Sequence, residues 1–252
     1  MTAQGTGGKI TRVTERRSVL RRMDYRGKEQ LLAANLEGVF IVDTGAAPPL
    51  NPVLLDRFMI GCAQDGLQMA LVLNKMDLGV QPEVEQAIKY RQPLGLDVFH
   101  ASAETGEGLQ ALRSFLAQQS GPWALVGRSG VGKTSLIAKL LPDTDAGPIG
   151  ALSEYWGAGK HTTTKSTLFT LPEGGELVDS PGIRTFMPGG LSSEQCARHF
   201  PGIGNLPCKY RNCLHRDNED GCAAPEHANP ELLFSYRTLL AELLDIEARK
   251  KP

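Results

Sequence analysis

The order of five short motifs constrains this chain more than any one of them does. Asn74-Lys75-Met76-Asp77 comes first, then Ala101-Ser102-Ala103, then the glycine-rich run Gly127-Arg128-Ser129-Gly130-Val131-Gly132-Lys133-Thr134, then His161-Thr162-Thr163-Thr164, and last Asp179-Ser180-Pro181-Gly182. The glycine-rich run follows an apolar stretch at 123–126 and precedes a helix-patterned segment at 134–141. That strand–loop–helix context is what such a run needs in order to cradle phosphates. In the unrotated arrangement the glycine-rich loop leads and Asn-Lys-x-Asp stands fourth. A rotated order with every motif retained predicts a circularly permuted parallel sheet, in which the helix at 109–118 runs directly into the strand at 123–126 and new chain ends open elsewhere. Domain termini tend to lie close together at the surface, so such a join preserves the sheet.

Each motif carries a distinct piece of chemistry. The amides from Gly127 through Gly132 can turn inward on phosphates at a helix N-terminus, Lys133 can reach the β and γ phosphates, and Thr134, followed by Ser135, can offer a hydroxyl to Mg²⁺. Asp179 fits the metal-holding carboxylate at a strand end, with the Gly182 amide on the γ-phosphate. Asp77, in the loop of Asn74 and Lys75, can accept hydrogen bonds from guanine N1 and N2, a donor pair that adenine lacks. Ala103, beside Ser102, can give its N–H to guanine O6. Together these predict GTP as substrate and GDP as product. Thr163 or Thr164 is expected on Mg²⁺ in the triphosphate state. Ile183 stands where a water-orienting glutamine is usual, so slow intrinsic turnover is expected. His161 is the nearest polar candidate for that catalytic role, alongside Lys133, and a loop histidine without chemistry is its alternative.

Buried apolar runs alternate with helical periods from Gly38 onward: strands at 39–42, 69–73, 97–100 and 123–126, and helices at 52–64, 84–90, 109–118 and 134–141. This rhythm predicts an α/β fold with a parallel sheet covered on both faces. Residues 142–160, broken by Pro and Gly, read as a loop-rich insert. Two further strands are expected at 168–171 and 176–178. Residues 229–249 read as an amphipathic helix carrying Leu232, Leu233, Tyr236, Leu239, Leu240, Leu243 and Leu244 on one side. The expected domains are a basic N-terminal β segment (1–36), a permuted nucleotide-binding domain (37–190) and a C-terminal segment (191–252).

Charge and cysteine usage add two expectations. Residues 1–30 hold eight Lys/Arg against three Asp/Glu, a balance of +5; with the whole chain at −1, the remainder carries −6. Arg12, Arg16, Arg17, Arg21 and Arg22 could therefore meet RNA phosphates, or form a solvated charged strand pair. Of the five cysteines, Cys208, Cys213 and Cys222 cluster with His215 as C-x₄-C-x-H-x₆-C. Three thiolates and one imidazole suit one tetrahedral Zn²⁺ with no open position, a structural site. Cys62 and Cys196 read as helix packing, and His199 as packing or surface. No apolar run approaches the ~18 residues of a membrane span, and no secretory signal opens the chain, so a cytoplasmic protein is expected.

The permuted order, the loop at 127–135, the run Gly159-Lys160-His161-Thr162-Thr163-Thr164 and the Cys208/Cys213/His215/Cys222 cluster resemble the RsgA (YjeQ) family of circularly permuted GTPases. The resemblance spans about residues 35–245. It implies an oligonucleotide-binding barrel, the permuted G domain and a C-terminal helical zinc domain. It also implies GTP hydrolysis stimulated by the small ribosomal subunit, rRNA binding and a role in that particle's late maturation, by a protein expected to be monomeric. The N-terminal region is short for the family's five-stranded barrel, so a partial barrel is expected. An RNA-binding assembly factor in which nucleotide only orders the switch loops is the alternative.

Overall fold

The computed structural model describes residues 11–24, 26–141, 167–179 and 186–250. The insert expected at 142–160, His161, Thr163, Thr164, Gly182 and Ile183 lie outside the described residues. Among the described residues the strands and α-helices run in chain order: β1 (Val19–Met23), β2 (Glu29–Ala34), β3 (Gly38–Thr44), α1 (Pro52–Gln64), β4 (Gln68–Asn74), α2 (Pro82–Arg91), β5 (Asp97–His100), α3 (Leu109–Leu116), β6 (Trp123–Val126), α4 (Lys133–Leu140), β7 (Thr167–Thr170), β8 (Glu176–Asp179), α5 (Ser193–His199), α6 (Ala224–His227) and α7 (Pro230–Lys250).

A six-stranded sheet in the order β5-β4-β3-β6-β8-β7 forms the frame. Its first five strands run parallel, and β7 closes the edge antiparallel to β8. All seven positions of β3 are buried, as a central strand covered on both faces requires. Its period-two alternation sends Val39 and Ile41 into the core under α1 and α2, and Phe40 and Val42 into the core under α3 and α4. Permutation is accommodated at the strand entrances: Glu37, before β3, donates its amide to Pro122 O (2.9 Å) and accepts from the Gly121 amide (2.5 Å). α1 starts where the sequence places it because Pro52 occupies the first turn and Asn51 caps Leu54 N at 3.0 Å.

A third core gathers Cys196, Phe200, Ile203, Tyr236, Leu239, Leu240 and Leu243, together with Met23 of β1 and Ile60 of α1. Charged contacts tie this part to the sheet. Arg91 of α2, fully buried, meets both oxygens of buried Asp56 in α1 at 2.7 Å and reaches Glu231 of α7 at 2.8 Å. Arg57 of α1 pairs with Glu242 of α7 at 2.7 Å. Cys62 and Cys196 are buried as expected, and His199 is exposed.

The N-terminal region is an antiparallel β1–β2 hairpin. Residues 187–189, leaving the last nucleotide motif, lie along β1: Met23 N donates to Met187 O (2.8 Å), Gly189 N donates to Arg21 O (3.3 Å), and Arg22 bridges Pro188. Just ahead of them Phe186 is buried and stacks on Phe58 of α1, centroids 4.1 Å apart. Contacts in and around the hairpin divide the five N-terminal arginines into two groups. Arg21 is turned inward, bonded to nearly buried Asp65 at 2.5 Å and near Glu29 at 3.8 Å. Arg22 donates to Gln30 Oε1 at 3.1 Å. Arg12, Arg16 and Arg17 remain exposed. Among the described residues, no helix is long and apolar enough to cross a membrane.

Candidate nucleotide and metal sites

The motif-bearing loops emerge at the carboxyl ends of β4, β5, β6 and β8, the edge where open α/β sheets bind ligands. Residues 127–132 link β6 to α4. Gly127 (φ +151°) is obligatory, since a Cβ there would sit 2.2 Å from Val42 O; Gly132 (φ +91°) likewise would place one 2.4 Å from Asn74 Nδ2. Lys133 Nζ donates to the Gly127 and Arg128 carbonyls at 2.9 Å each. Burial pushes its ammonium below the usual lysine range, while the carboxylates of Asp179 and Asp43 push back. Ser129, Gly130, Thr134 and Ser135 are exposed at the loop and helix start, and Asp179 is buried at the end of β8. Lys133 and Asp179 thus lie within electrostatic range of each other, as a phosphate-and-Mg²⁺ site needs.

The loops at 74–78 and 101–104 meet the glycine-rich loop across a cleft of about 630 Å³ lined by Asn74, Lys75, Asp77, Leu78, Ala103, Glu104, Gly132, Thr134, Ser135, Ala138 and Lys139. Asn74, 1% exposed, is a strut: its Nδ2 donates to Val131 O (2.8 Å) and its Oδ1 accepts from Ala103 N (3.1 Å). The Ala103 amide, read from sequence as the guanine O6 donor, is therefore engaged by Asn74. Ser102 is also fully buried, so it stands behind the cleft. Its hydroxyl donates to Asp77 Oδ1 and accepts from Thr105 N at 3.1 Å, which orients the exposed Asp77 carboxylate. Lys75 adopts a left-handed conformation (φ +61°) and donates from Nζ to Ala47 O at 3.2 Å.

Sequence reasoning missed Leu78, Glu104, Ala138 and Lys139 as cleft residues. Leu78 had a signal, a large apolar side chain directly after the Asn-Lys-x-Asp motif; it is 55% exposed in a cleft wall that a planar base would cover. Asp43 was also missed: 2% exposed at the end of β3, it accepts from Arg128 Nη2 at 2.7 Å.

Cys208, Cys213, His215 and Cys222 converge, their ligand atoms all within 4.8 Å of one another. His215 Nδ1 lies 3.4, 3.5 and 3.6 Å from the three sulfurs. A tetrahedral ion with Zn–S of ~2.3 Å and Zn–N of ~2.0 Å puts nitrogen and sulfur ligands about 3.5 Å apart, so the residues fit zinc. Burial pushes the Cys213 thiol up to about 12 and the His215 imidazole down. Neutral imidazole is the ligating form, and a cation would have to displace the thiol protons. Amides of Ala223 and Ala224 point at Cys208 Sγ (3.2 Å) and Cys222 Sγ (3.5 Å). From α7, Tyr236 donates to Leu214 O (2.6 Å) and Arg237 to His215 O (3.0 Å), fixing a loop in which His215 has φ +52°.

Comparisons with known proteins agree with this geometry. The crystal structure of YjeQ from Thermotoga maritima superposes with a TM-score of 0.69 at 24% identity, over 92% of this chain and 77% of that one. The crystal structure of YloQ, a circularly permuted GTPase, gives 0.64 at 21% identity, over 96% and 76%. The small ribosomal subunit biogenesis GTPase RsgA of Haemophilus influenzae is 36% identical over 257 residues, 98% of this chain and 73% of that protein. Its counterpart in Actinobacillus pleuropneumoniae is 38% identical over 229 residues, covering 88% and 65%. A family model described as RsgA GTPase matches residues 13–188. With a permuted sheet, its nucleotide loops in register and relatives of this identity along nearly its whole length, the chain belongs to the RsgA GTPase family.

Proposed function

We propose that this chain hydrolyses GTP to GDP and phosphate with Mg²⁺, and that docking on the small ribosomal subunit stimulates turnover during that particle's late maturation. The observation that carries the nucleotide part is the cleft in which Asp77, oriented by Ser102, faces the phosphate loop across the Asn74 strut. The relatives, small ribosomal subunit biogenesis GTPases, support the subunit as partner. In this reading Lys133 and the loop amides bind the phosphates. Thr134 and Asp179 would hold the Mg²⁺, which would supply positive charge against the phosphate oxygens. Thr163 or Thr164 joins them in the triphosphate state, Gly182 meets the γ-phosphate, and His161 orients water. Guanine O6 falls to the Glu104 amide, which has no partner among the described residues and lines the cleft. Cys208, Cys213, His215 and Cys222 hold one structural zinc. The three domains expected from sequence, divided near residues 36 and 190, belong to the same proposal.

Hydrolysis measured with and without purified ribosomal subunits tests this. The free chain should turn over well below the ~1–10³ s⁻¹ typical of enzymes, and small subunits should accelerate it many-fold. Equal acceleration by large subunits would remove the small-subunit assignment, and nucleotide binding without any stimulation would favour an assembly factor whose turnover is incidental. Exposed Arg12, Arg16 and Arg17 predict that subunit binding weakens with added salt, through counterion release. Base choice has its own test: Asp77→Asn should weaken GTP at least tenfold and favour xanthosine nucleotides, whose altered edge complements an amide. Equal competition by ATP in the unsubstituted protein would refute the guanine assignment.

A further inference from the structure

The connection between β3 and α1 is gripped from both halves of the cleft. On the guanine side, Lys75 Nζ holds Ala47 O and Gln81 N donates to Gly45 O at 3.0 Å. On the phosphate side, Arg128 Nη2 reaches Asp43 Oδ1 (2.7 Å), Pro48 O (3.4 Å) and Pro49 O. Asp43 itself caps the turn, accepting from Thr44 N (3.0 Å) and Asn51 N (3.3 Å). A carboxylate is thus built into the wall behind the phosphate loop, close enough for its charge to act on Lys133. An anion there opposes the binding of phosphates unless it is cancelled. Arg128, the second residue of the phosphate loop, sits where it can cancel it.

We propose that Asp43 and Arg128 are a positioning pair for the nucleotide phosphates: Arg128 anchors the phosphate loop to the β3–α1 connection and neutralises Asp43, so that the pair sets the charge the phosphates meet. The proposal rests on the reading of this cleft as a guanine-nucleotide site. It predicts effects of opposite sign. Arg128→Gln leaves the carboxylate uncancelled, whereas Asp43→Asn leaves a guanidinium still held by Pro48 and Pro49 and keeps a carbonyl oxygen on the side of Thr44 N and Arg128, giving up only the 3.3 Å bond from Asn51 N. A purely structural role would weaken binding in both.

The full chain and its variants are titrated with GDP and, separately, with guanosine, which carries no phosphate. Arg128→Gln is expected to bind GDP about tenfold more weakly and Asp43→Asn severalfold more tightly, with guanosine unchanged in each, since a unit charge near the phosphates acts at this scale at an effective dielectric of ~20. Among the described residues, the hydrogen bonds of Arg128's side chain run through Nη2, and Nε has no partner. Arg128→Lys should therefore restore GDP binding to within about threefold of the parent. Weaker GDP binding in both Arg128→Gln and Asp43→Asn, or a matching loss for guanosine, overturns the proposal. If Arg128→Gln melts before titration, Asp43→Asn and Arg128→Lys decide it by the same signs. A parent chain that binds GDP but shows no opposite shifts refutes the pair alone; a parent that binds neither ligand refutes the nucleotide site as well.

Discussion

Replacing Arg91 with Met is expected to destabilise the chain by about 3–5 kcal/mol, because it strands a carboxylate where water cannot reach it. Asp56 is 1% exposed and Arg91 0%. Burial pushes the Asp56 carboxyl up, and the guanidinium on both its oxygens pulls it back down. Without Arg91 the upward push of burial, joined by the Glu231 charge, is opposed only by the Ser235 hydroxyl, so Asp56 in the variant favours its neutral form. An acid whose folded-state pKa is raised contributes stability that is present below its unfolded value and lost as pH rises through the folded one. The penalty should therefore be larger at pH 7 than near pH 4. Urea unfolding of the variant at both pH values checks this. The double replacement Arg91→Met with Asp56→Leu should recover most of the loss, since removing both charges avoids the stranded anion. An Arg91→Met variant within about 1 kcal/mol of the parent at pH 7 would show that water or the Ser235 hydroxyl can serve Asp56 in place of the guanidinium.

The second large effect is at the metal cluster. Metal analysis of carefully prepared protein should find one zinc per chain, and Cys213→Ser should abolish it. The binding free energy of structural zinc, roughly 10–16 kcal/mol in small domains, is also folding energy for the loop it closes. Hydrogen exchange across residues 208–222 should then rise by orders of magnitude. α7 should hold in its middle, because Tyr236, Leu239, Leu240 and Leu243 are packed in a core that includes Ile60 of α1, and Arg57 and Arg91 anchor it from the other side. GDP binding should persist. Protein that contains no zinc and exchanges slowly at 208–222 would end the assignment.

Much of the frame was legible because its signals are local. The strand Asp97–His100 and the helix Pro52–Gln64 have the bounds read from sequence, the helix set by Asn51 and Pro52 and the strand by a short apolar run after a glycine. The nucleotide motifs were legible for the same reason, each being a strand end followed by a few residues of fixed type. Side-chain partnerships were not. Asp43 and Arg128 are 85 positions apart and meet only because β3 and β6 are neighbours in the sheet. Arg21 looked like one more cation in a basic arm until Asp65, 44 residues on, came beside it. Ser102 was read as touching the nucleotide, yet its hydroxyl is spent on Asp77, 25 positions earlier. Composition shows that a charge exists, whereas sheet order decides what faces it.

The pairing of residues 187–189 with β1, behind a Phe186 held on Phe58, ties the hairpin to the segment that follows the last of the five motifs. The chain leaving Asp179 reaches that pairing within ten residues, so a shift of the nucleotide motif that carries into 187–189 must either drag β1 with it or break the Met23–Met187 hydrogen bond. Whatever grips the hairpin more tightly in one of those two arrangements changes the affinity for the triphosphate. By reciprocity, the triphosphate then changes the grip on the hairpin by the same factor. The three exposed arginines ahead of β1 are thus joined to the chain that follows Asp179 by one short ladder of main-chain bonds, the element through which such a reciprocal effect would have to pass.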